Sequence, residues 1–232
     1  MPGWRRSSAP GRSSSSRPDG AGKSAAAASL VRALRAQGRD VTATREPGGT
    51  PIGEALREVL LRAGVVGRSG LADALLFSAA RAELVAEVIR PALARGAVVV
   101  SDRYATSTTA YQGYGAGVPL DQLLRLEAVA TGGLGPDLVV LIDVPVEAGL
   151  ARRGMARGGE TRFEEQFDVG FHERVRDGYR AMAAADPAHW RIVDGTRTEA
   201  EVAKEVVAVV QRHLGGTDAA GEPDRVDVRI TR

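Results

Sequence analysis

The 232-residue chain has no cysteine. That absence excludes disulfides, zinc–thiolate centres and thiol nucleophiles, and it suits a reducing cytoplasm, the location expected for this chain. Histidine is scarce: His172, His189 and His213 fall in helical or terminal segments, read as surface positions, and none is a credible general base. Charge is nearly balanced, with a net +2, so there is no general field for a polyanion. The basic N-terminal residues Arg5, Arg6 and Arg12 lack interleaved aromatics, and no nucleic-acid partner is expected. No apolar run reaches the roughly 18 residues of a membrane span, and the N-terminus lacks the apolar stretch of a secretory signal; no membrane partner is expected either. What is present is a 44% hydrophobic composition, enough for one α/β domain with a sizeable core.

Between a Ser/Arg/Pro/Gly-rich start and a polar end, apolar runs alternate with helical patterns. Val41–Thr44, Ala97–Ser101, Leu138–Asp143 and Arg191–Val193 read as short strands. Continuous runs such as Val98-Val99-Val100 suit strands buried on both faces, hence a parallel sheet. Helical stretches are expected near 23–36, 51–63, 71–95, 119–130, 146–153, 164–185 and 198–213, with Gly38, Gly64 and Gly96 placed as C-caps. The alternation predicts a doubly wound three-layer fold. Residues 1–17 read as an aberrant or disordered segment, 18–214 as the folded domain and 215–232 as a flexible tail. A mobile loop is expected at about 152–163.

Pro18-Asp19-Gly20-Ala21-Gly22-Lys23-Ser24 opens the first helix. Glycines let backbone N–H groups turn inward around phosphates at a helix N-terminus, where the dipole adds positive potential. In such a phosphate loop Lys23 reaches the β- and γ-phosphates and the Ser24 hydroxyl holds Mg²⁺. A Gly-rich helix start without ligand is the plainer reading. The loop departs from its pattern: Arg17 stands where the first glycine belongs, and Gly11-Arg12-Ser13-Ser14-Ser15-Ser16-Arg17 replaces the buried strand that should precede it. Such a segment inside a sheet would bury unpaired polar groups. A reading-frame error accounts for this. Serine codons of the TCN type, read one base earlier, encode Phe, Leu, Ile or Val, so Ser13–Arg17 conceals a segment of the type Phe-Ile-Val-Phe-Glu. Serine codons of the AGY type would exclude this account. An authentic extension with a degraded loop is the rival.

Other polar clusters end strands, where ligands bind in this fold class. Thr44-Arg45-Glu46-Pro47-Gly48-Gly49-Thr50 follows one strand and is either a binding loop or a structural turn. Asp102-Arg103-Tyr104 follows another; an acid there can orient Mg²⁺ and an arginine can grip a phosphate, or the two can form a structural ion pair. Phe77 and Arg81 lie four apart on one helix face, fit either for base recognition or for core packing.

The motifs Asp-Gly-Ala-Gly-Lys-Ser (19–24), Thr-Arg-Glu-Pro-Gly-Gly-Thr (44–50), Asp-Arg-Tyr (102–104), Ala-Tyr-Gln-Gly (110–113), Ala-Thr-Gly-Gly-Leu-Gly-Pro-Asp-Leu (130–138) and Arg-Phe-Glu (162–164) occur in this order. Over about residues 18–213 the chain thereby resembles bacterial thymidylate kinase. The resemblance implies an α/β three-layer P-loop kinase fold with a parallel five-stranded sheet, its first strand missing or corrupted here. It also implies ATP as donor, Mg²⁺ as cofactor, dTMP as acceptor and a homodimer. By resemblance Asp19, Gly20, Ala21, Gly22, Lys23 and Ser24 cradle ATP, with Arg152 and Thr196 near adenine. Ser24 and Asp102 serve the metal. Asp19, Arg45, Glu46, Pro47, Phe77, Arg81, Arg103, Thr108, Tyr111 and Gln112 surround the acceptor, with Phe77 stacked on thymine and Arg103 on the dTMP phosphate. Lys23, Asp102, Arg103 and a lid arginine, Arg153 or Arg157 ahead of Arg162, are the catalytic set. Alternatives are a different small acceptor, such as a deoxynucleoside or dUMP, and a nucleotide-binding protein impaired in transfer by Arg17 and the lost strand.

Overall fold

The computed structural model describes residues 23–61, 67–155, 167–217 and 227–231. Five strands make one all-parallel sheet in the order β1-β2-β5-β3-β4. These are β1 (Val41–Arg45), β2 (Val98–Asp102), β3 (Leu138–Asp143), β4 (Trp190–Asp194) and β5 (Asp227–Thr231). Four of them match the runs read from sequence to within a residue or two. Val98, Val99, Val100 and the Leu138–Ile142 run are buried on both faces, as a covered parallel sheet requires.

Helices α1 (Lys23–Ala36) and α9 (Glu199–Thr217) cover one face. The α1 residues Ala26, Leu30 and Leu34 recur every four positions and are fully buried against Val100, Val140, Val228 and the α9 valines, the spacing of one helical stripe. The opposite face carries α2 (Pro51–Leu61), α3 (Gly70–Leu84), α4 (Arg90–Ala94), α5 (Ala105–Thr108), α6 (Leu120–Thr131) and α8 (Val169–Ala185), while α7 (Val146–Met155) packs on α8 and, through Ala148, on the α1–α9 core. The core of the opposite face is built on Val99, Tyr104, Leu84 and Ile89 on one side and on Val139, Leu141, Phe171 and Tyr179 on the other. Capping fixes the starts of two helices: the Ser69 side chain accepts from Ala72 N–H, and Asp168 from Phe171 N–H at 2.7 Å, the N-cap arrangement. Gly38 and Gly96 both take positive φ after helix ends, as expected; Gly64 lies outside the described residues. No helix among the described residues is long and apolar enough to cross a membrane.

Three sequence expectations change here. The helix expected over 71–95 is interrupted by a π-helical turn, Val85–Ile89, before α4. Pro91 sits at the start of α4; it has no N–H to continue an α-helical ladder, and the wider turn absorbs the mismatch. His172, read as a surface residue, is 6% exposed on α8. The largest correction concerns the end of the chain. Residues 215–232 were expected as a flexible tail, but α9 runs on to Thr217, and Asp227–Thr231 is a strand at the centre of the sheet. The expectation failed because it rested on the polar composition of 215–232, which includes Asp227 and Arg229. The backbone ladders open on β2 and β3 outweighed them, since unpaired buried N–H and C=O groups are costly.

Candidate functional site: a phosphate corner joined to a nucleotide cleft

The functional groups gather at the carboxyl ends of the strands. The apolar stripe of α1 lays its N-terminus against the end of β2. Lys23 Nζ stands 3.7 Å from Asp102 Oδ1, and the Ser24 hydroxyl donates to Asp102 Oδ2 at 3.0 Å. Lys23 is only 8% exposed. Asp102 Oδ1 is buried and accepts no hydrogen bond among the described residues. An ammonium, a helix N-terminus, a hydroxyl and an underused carboxylate oxygen thus share one corner. The chemistry of that donor set, hard oxygen beside positive charge, fits a divalent cation bound together with phosphates. Among the described residues no cluster of three or more His or acidic side chains offers a self-sufficient metal cage.

Arg103, the next residue after β2, has φ +73°, a conformation that costs a non-glycine residue on the order of 1 kcal/mol or more. It is held there from three sides. Its N–H donates to Ile230 C=O at 3.0 Å, its own C=O accepts from the Ser101 hydroxyl at 2.9 Å, and its guanidinium lies 5.1 Å from the Tyr111 ring centre. The strained turn aims Arg103 so that it lines two adjoining hollows.

The larger hollow, about 190 Å³, is lined by Lys23, Ser24, Arg45, Glu46, Pro47, Phe77, Arg81, Asp102, Arg103, Thr108, Tyr111 and Gln112, along with Tyr104 and Ser107. Every described residue expected to surround the acceptor is therefore on one cleft wall. Arg81 is 1% exposed; its Nε donates to Glu46 Oε2 at 2.9 Å and its Nη2 to Thr108 Oγ1 at 3.0 Å. Burial pushes the Glu46 carboxyl above its ordinary range, with the Arg81 guanidinium pulling the other way. Burial likewise raises the Tyr104 hydroxyl. Arg45 is more exposed and makes a two-pronged contact with Glu54 at 2.9 and 3.0 Å, and Gly49 N–H binds the same carboxylate. Thr108 ends α5, and Tyr111 and Gln112 lie on a following π-helical stretch, Thr109–Gly115. That wider turn presents consecutive side chains to the cleft, and regular 3.6 spacing gives no sign of it.

The smaller hollow, about 60 Å³, is lined by Lys23, Arg103, Asp143, His172, Arg176 and neighbours. Arg176 clamps Asp143 with both prongs, at 2.7 and 2.9 Å. Sequence reasoning missed this pair and His172. Asp143 carried a signal, because it ends an apolar strand as Asp102 does; Arg176 and His172, in the middle of α8, carried none. Thr196 is not brought to either hollow. It sits in a tight turn after β4, its hydroxyl and N–H both donating to Asp194 Oδ1 at 2.7 and 2.9 Å. The backbones of Arg152 and Arg153 are in the last turns of α7. Asp19, Gly20, Ala21, Gly22, Arg157 and Arg162 lie outside the described residues.

A parallel sheet with a helix N-terminus, lysine and serine facing a strand-end aspartate, beside a nucleotide-sized cleft, defines the class of phosphate-loop kinases of small molecules. The comparisons agree and narrow it. The family profile described as Thymidylate kinase matches residues 18–206. Curated thymidylate kinases of Thermomicrobium roseum, Deinococcus radiodurans and Desulforudis audaxviator are 51%, 49% and 48% identical. These alignments cover 83%, 83% and 84% of this chain and 90%, 92% and 88% of the relatives. The chain belongs to the thymidylate kinase family.

Proposed function

We propose that this chain is a dTMP kinase, transferring the γ-phosphoryl group of ATP to thymidine 5′-monophosphate to give dTDP and ADP in the cytoplasm. The observation that carries the reading is the sharing of Lys23 and Arg103 by two adjoining hollows. Donor and acceptor phosphates can meet there under two cations.

An acceptor phosphate oxygen forms the new bond to the γ-phosphorus, and the bond from that phosphorus to the β-bridging oxygen breaks with ADP leaving. The acceptor phosphate is already ionised near neutral pH, so the transfer needs no general base. Lys23 holds the β- and γ-phosphates, with Asp19, Gly20, Ala21 and Gly22 supplying the backbone cradle. Arg103 orients the acceptor phosphate in line. Ser24 Oγ and Asp102 would hold Mg²⁺, which supplies charge neutralisation on the transferring group. Arg153 or Arg157 closes over the transferring phosphate and excludes water. Arg152 and Thr196 are assigned to adenine, Thr196 from outside the two hollows.

In the cleft, Phe77 stacks on thymine, and Arg81, fixed by Glu46 and Thr108, presents donors to the base edge beside Gln112. Tyr111 packs under the sugar, and Arg45 and Pro47 complete the wall. A homodimer is supported by apolar side chains left exposed on three helices, of which α3 packs against both α2 and α6. These are Ile52 and Val59 on α2, Leu71 and Leu75 on α3, and Leu124 and Val129 on α6; such a patch favours association.

ADP release measured with dTMP, dUMP, dCMP and thymidine as acceptors tests the assignment. Turnover at least about tenfold faster on dTMP is expected, since one methyl in an apolar pocket is worth that much. A preference for thymidine or dCMP would overturn it.

A further inference from the structure

The central position of the sheet is filled by a strand whose sequence does not suit it. β5 lies between β2 and β3, paired in register with both: Asp102 opposite Ile230, and Val140 opposite Ile230 on the other side. Val228 and Ile230 face the α1–α9 side and join its core. Asp227, Arg229 and Thr231 face the other layer and are 1%, 0% and 0% exposed. This alternation is that of a strand with one wet face, whereas both neighbours are apolar on both faces. Asp227 and Arg229 pair with each other, and Arg229 lies 4.0 Å over the Tyr104 ring. Even so, Asp227 Oδ1 and Arg229 Nε and Nη1 make no hydrogen bond among the described residues.

The place β5 occupies is the one a phosphate loop needs for its own strand. In that motif the strand runs into the glycine loop and the loop into the helix. Helix α1 begins beside the carboxyl end of β2, Lys23 being 3.7 Å from Asp102. The strand feeding that helix must therefore end next to Asp102, and Ile230 of β5 is what stands there. The chain upstream of the loop, Ser13-Ser14-Ser15-Ser16-Arg17, has no apolar residue to offer.

We propose that the gap between β2 and β3 is a strand-receiving site for an apolar segment leading into the phosphate loop, and that the C-terminal strand Asp227–Thr231 occupies it as a substitute. The substitute closes both ladders: Asp137 N–H donates to Asp227 C=O at 3.0 Å, and Arg103 N–H to Ile230 C=O at 3.0 Å. It thereby also props the strained Arg103 turn. Its buried charges make it the weaker occupant, so an apolar strand covalently joined to the loop displaces it. The inference rests on the phosphate-loop reading of 18–24, but its test is a thiol reaction that needs neither ATP nor dTMP, so its failure is separable from a failure of the kinase assignment.

The absence of cysteine makes the experiment direct. A Val228→Cys chain holds one thiol, which in the otherwise unchanged protein should react with iodoacetamide on the order of 100-fold more slowly than in urea, as buried core positions do. Adding Ser13→Phe, Ser14→Ile, Ser15→Val, Ser16→Phe and Arg17→Glu to the same chain should bring its rate close to that in urea while circular dichroism stays native. A second pair, Val140→Cys with Ile230→Cys, should form a disulfide in the otherwise unchanged chain and lose it with the five N-terminal changes. A thiol open in the otherwise unchanged chain, or equally protected in both, overturns the proposal, as does a disulfide that persists.

Discussion

Two buried ion pairs lie on the same face of the sheet, each with its arginine near the Tyr104 ring. The Arg81 guanidinium is 5.4 Å from the ring centre and that of Arg229 is 4.0 Å from it. They differ in what surrounds them. Arg81 is held by Glu46 and Thr108 and lines the cleft. Arg229 is held by Asp227 alone among the described hydrogen-bond partners and lines neither hollow of the functional site. A buried pair with open donors is worth little to stability, because desolvation offsets the attraction. Glu46 also keeps one buried oxygen, Oε1, without a hydrogen bond among the described residues, so the comparison teaches that burial and open polar atoms do not tell the two pairs apart; lining a shared cleft does.

Substitutions can break this contrast, and the largest effect belongs to the site. Lys23→Ala should lower kcat by about 10³-fold or more, because it removes a cation from a developing phosphoryl charge, with little change in Tm; steady-state ADP release reads the first and calorimetry the second. Arg81→Met should raise KM for dTMP by about 10- to 100-fold, from the loss of a buried bond to the ligand and a stranded Glu46, while leaving KM for ATP nearly unchanged. Arg229→Met should act on stability instead, lowering it by about 3 to 5 kcal/mol by leaving the Asp227 charge buried and unpaired, measured by urea unfolding. Removing both partners, Asp227→Val with Arg229→Met, should be neutral or stabilising by up to about 4 kcal/mol with kcat unaltered. A double variant as unstable as the single one would show that the pair is needed where it stands.

The smallest effect is on pH dependence. Burial raises the Asp227 carboxyl to about 6, against the pull of Arg229, with Asp137 and Glu46 adding to the rise. The folded chain then holds this proton more tightly than the unfolded chain. The group's contribution to stability is therefore greatest below its unfolded value near 4 and falls as pH rises through about 6. Other carboxylates titrate in both proteins, so the readout is a difference. The advantage of the double variant over the parent should be larger at pH 7.5 than at pH 4.5. A constant difference would mean that Asp227 is not the titrating group.

Much of the site was legible because its residues sit at strand ends and in a glycine loop, where local chemistry and position coincide. Asp102 and Arg103 follow Val98–Val100 directly, and Arg45–Pro47 follow β1. Asp143 was missed although it obeys the same rule, and Arg176 and His172 were missed because a mid-helix position announces nothing about what it faces across space. The π-helical stretch that carries Tyr111 and Gln112 gave no periodic sign either.

The sequence by itself determined four of the strands, the helices on both faces and the residues that end those strands. Apolar runs and helical periodicity are local properties, and burial on both sides follows from them. Only the tertiary structure decided where Asp227–Thr231 goes. Its alternating pattern suits a half-exposed strand, yet two open ladders and an apolar slot draw it into the middle of the sheet, because paired backbone groups outweigh two misplaced charges.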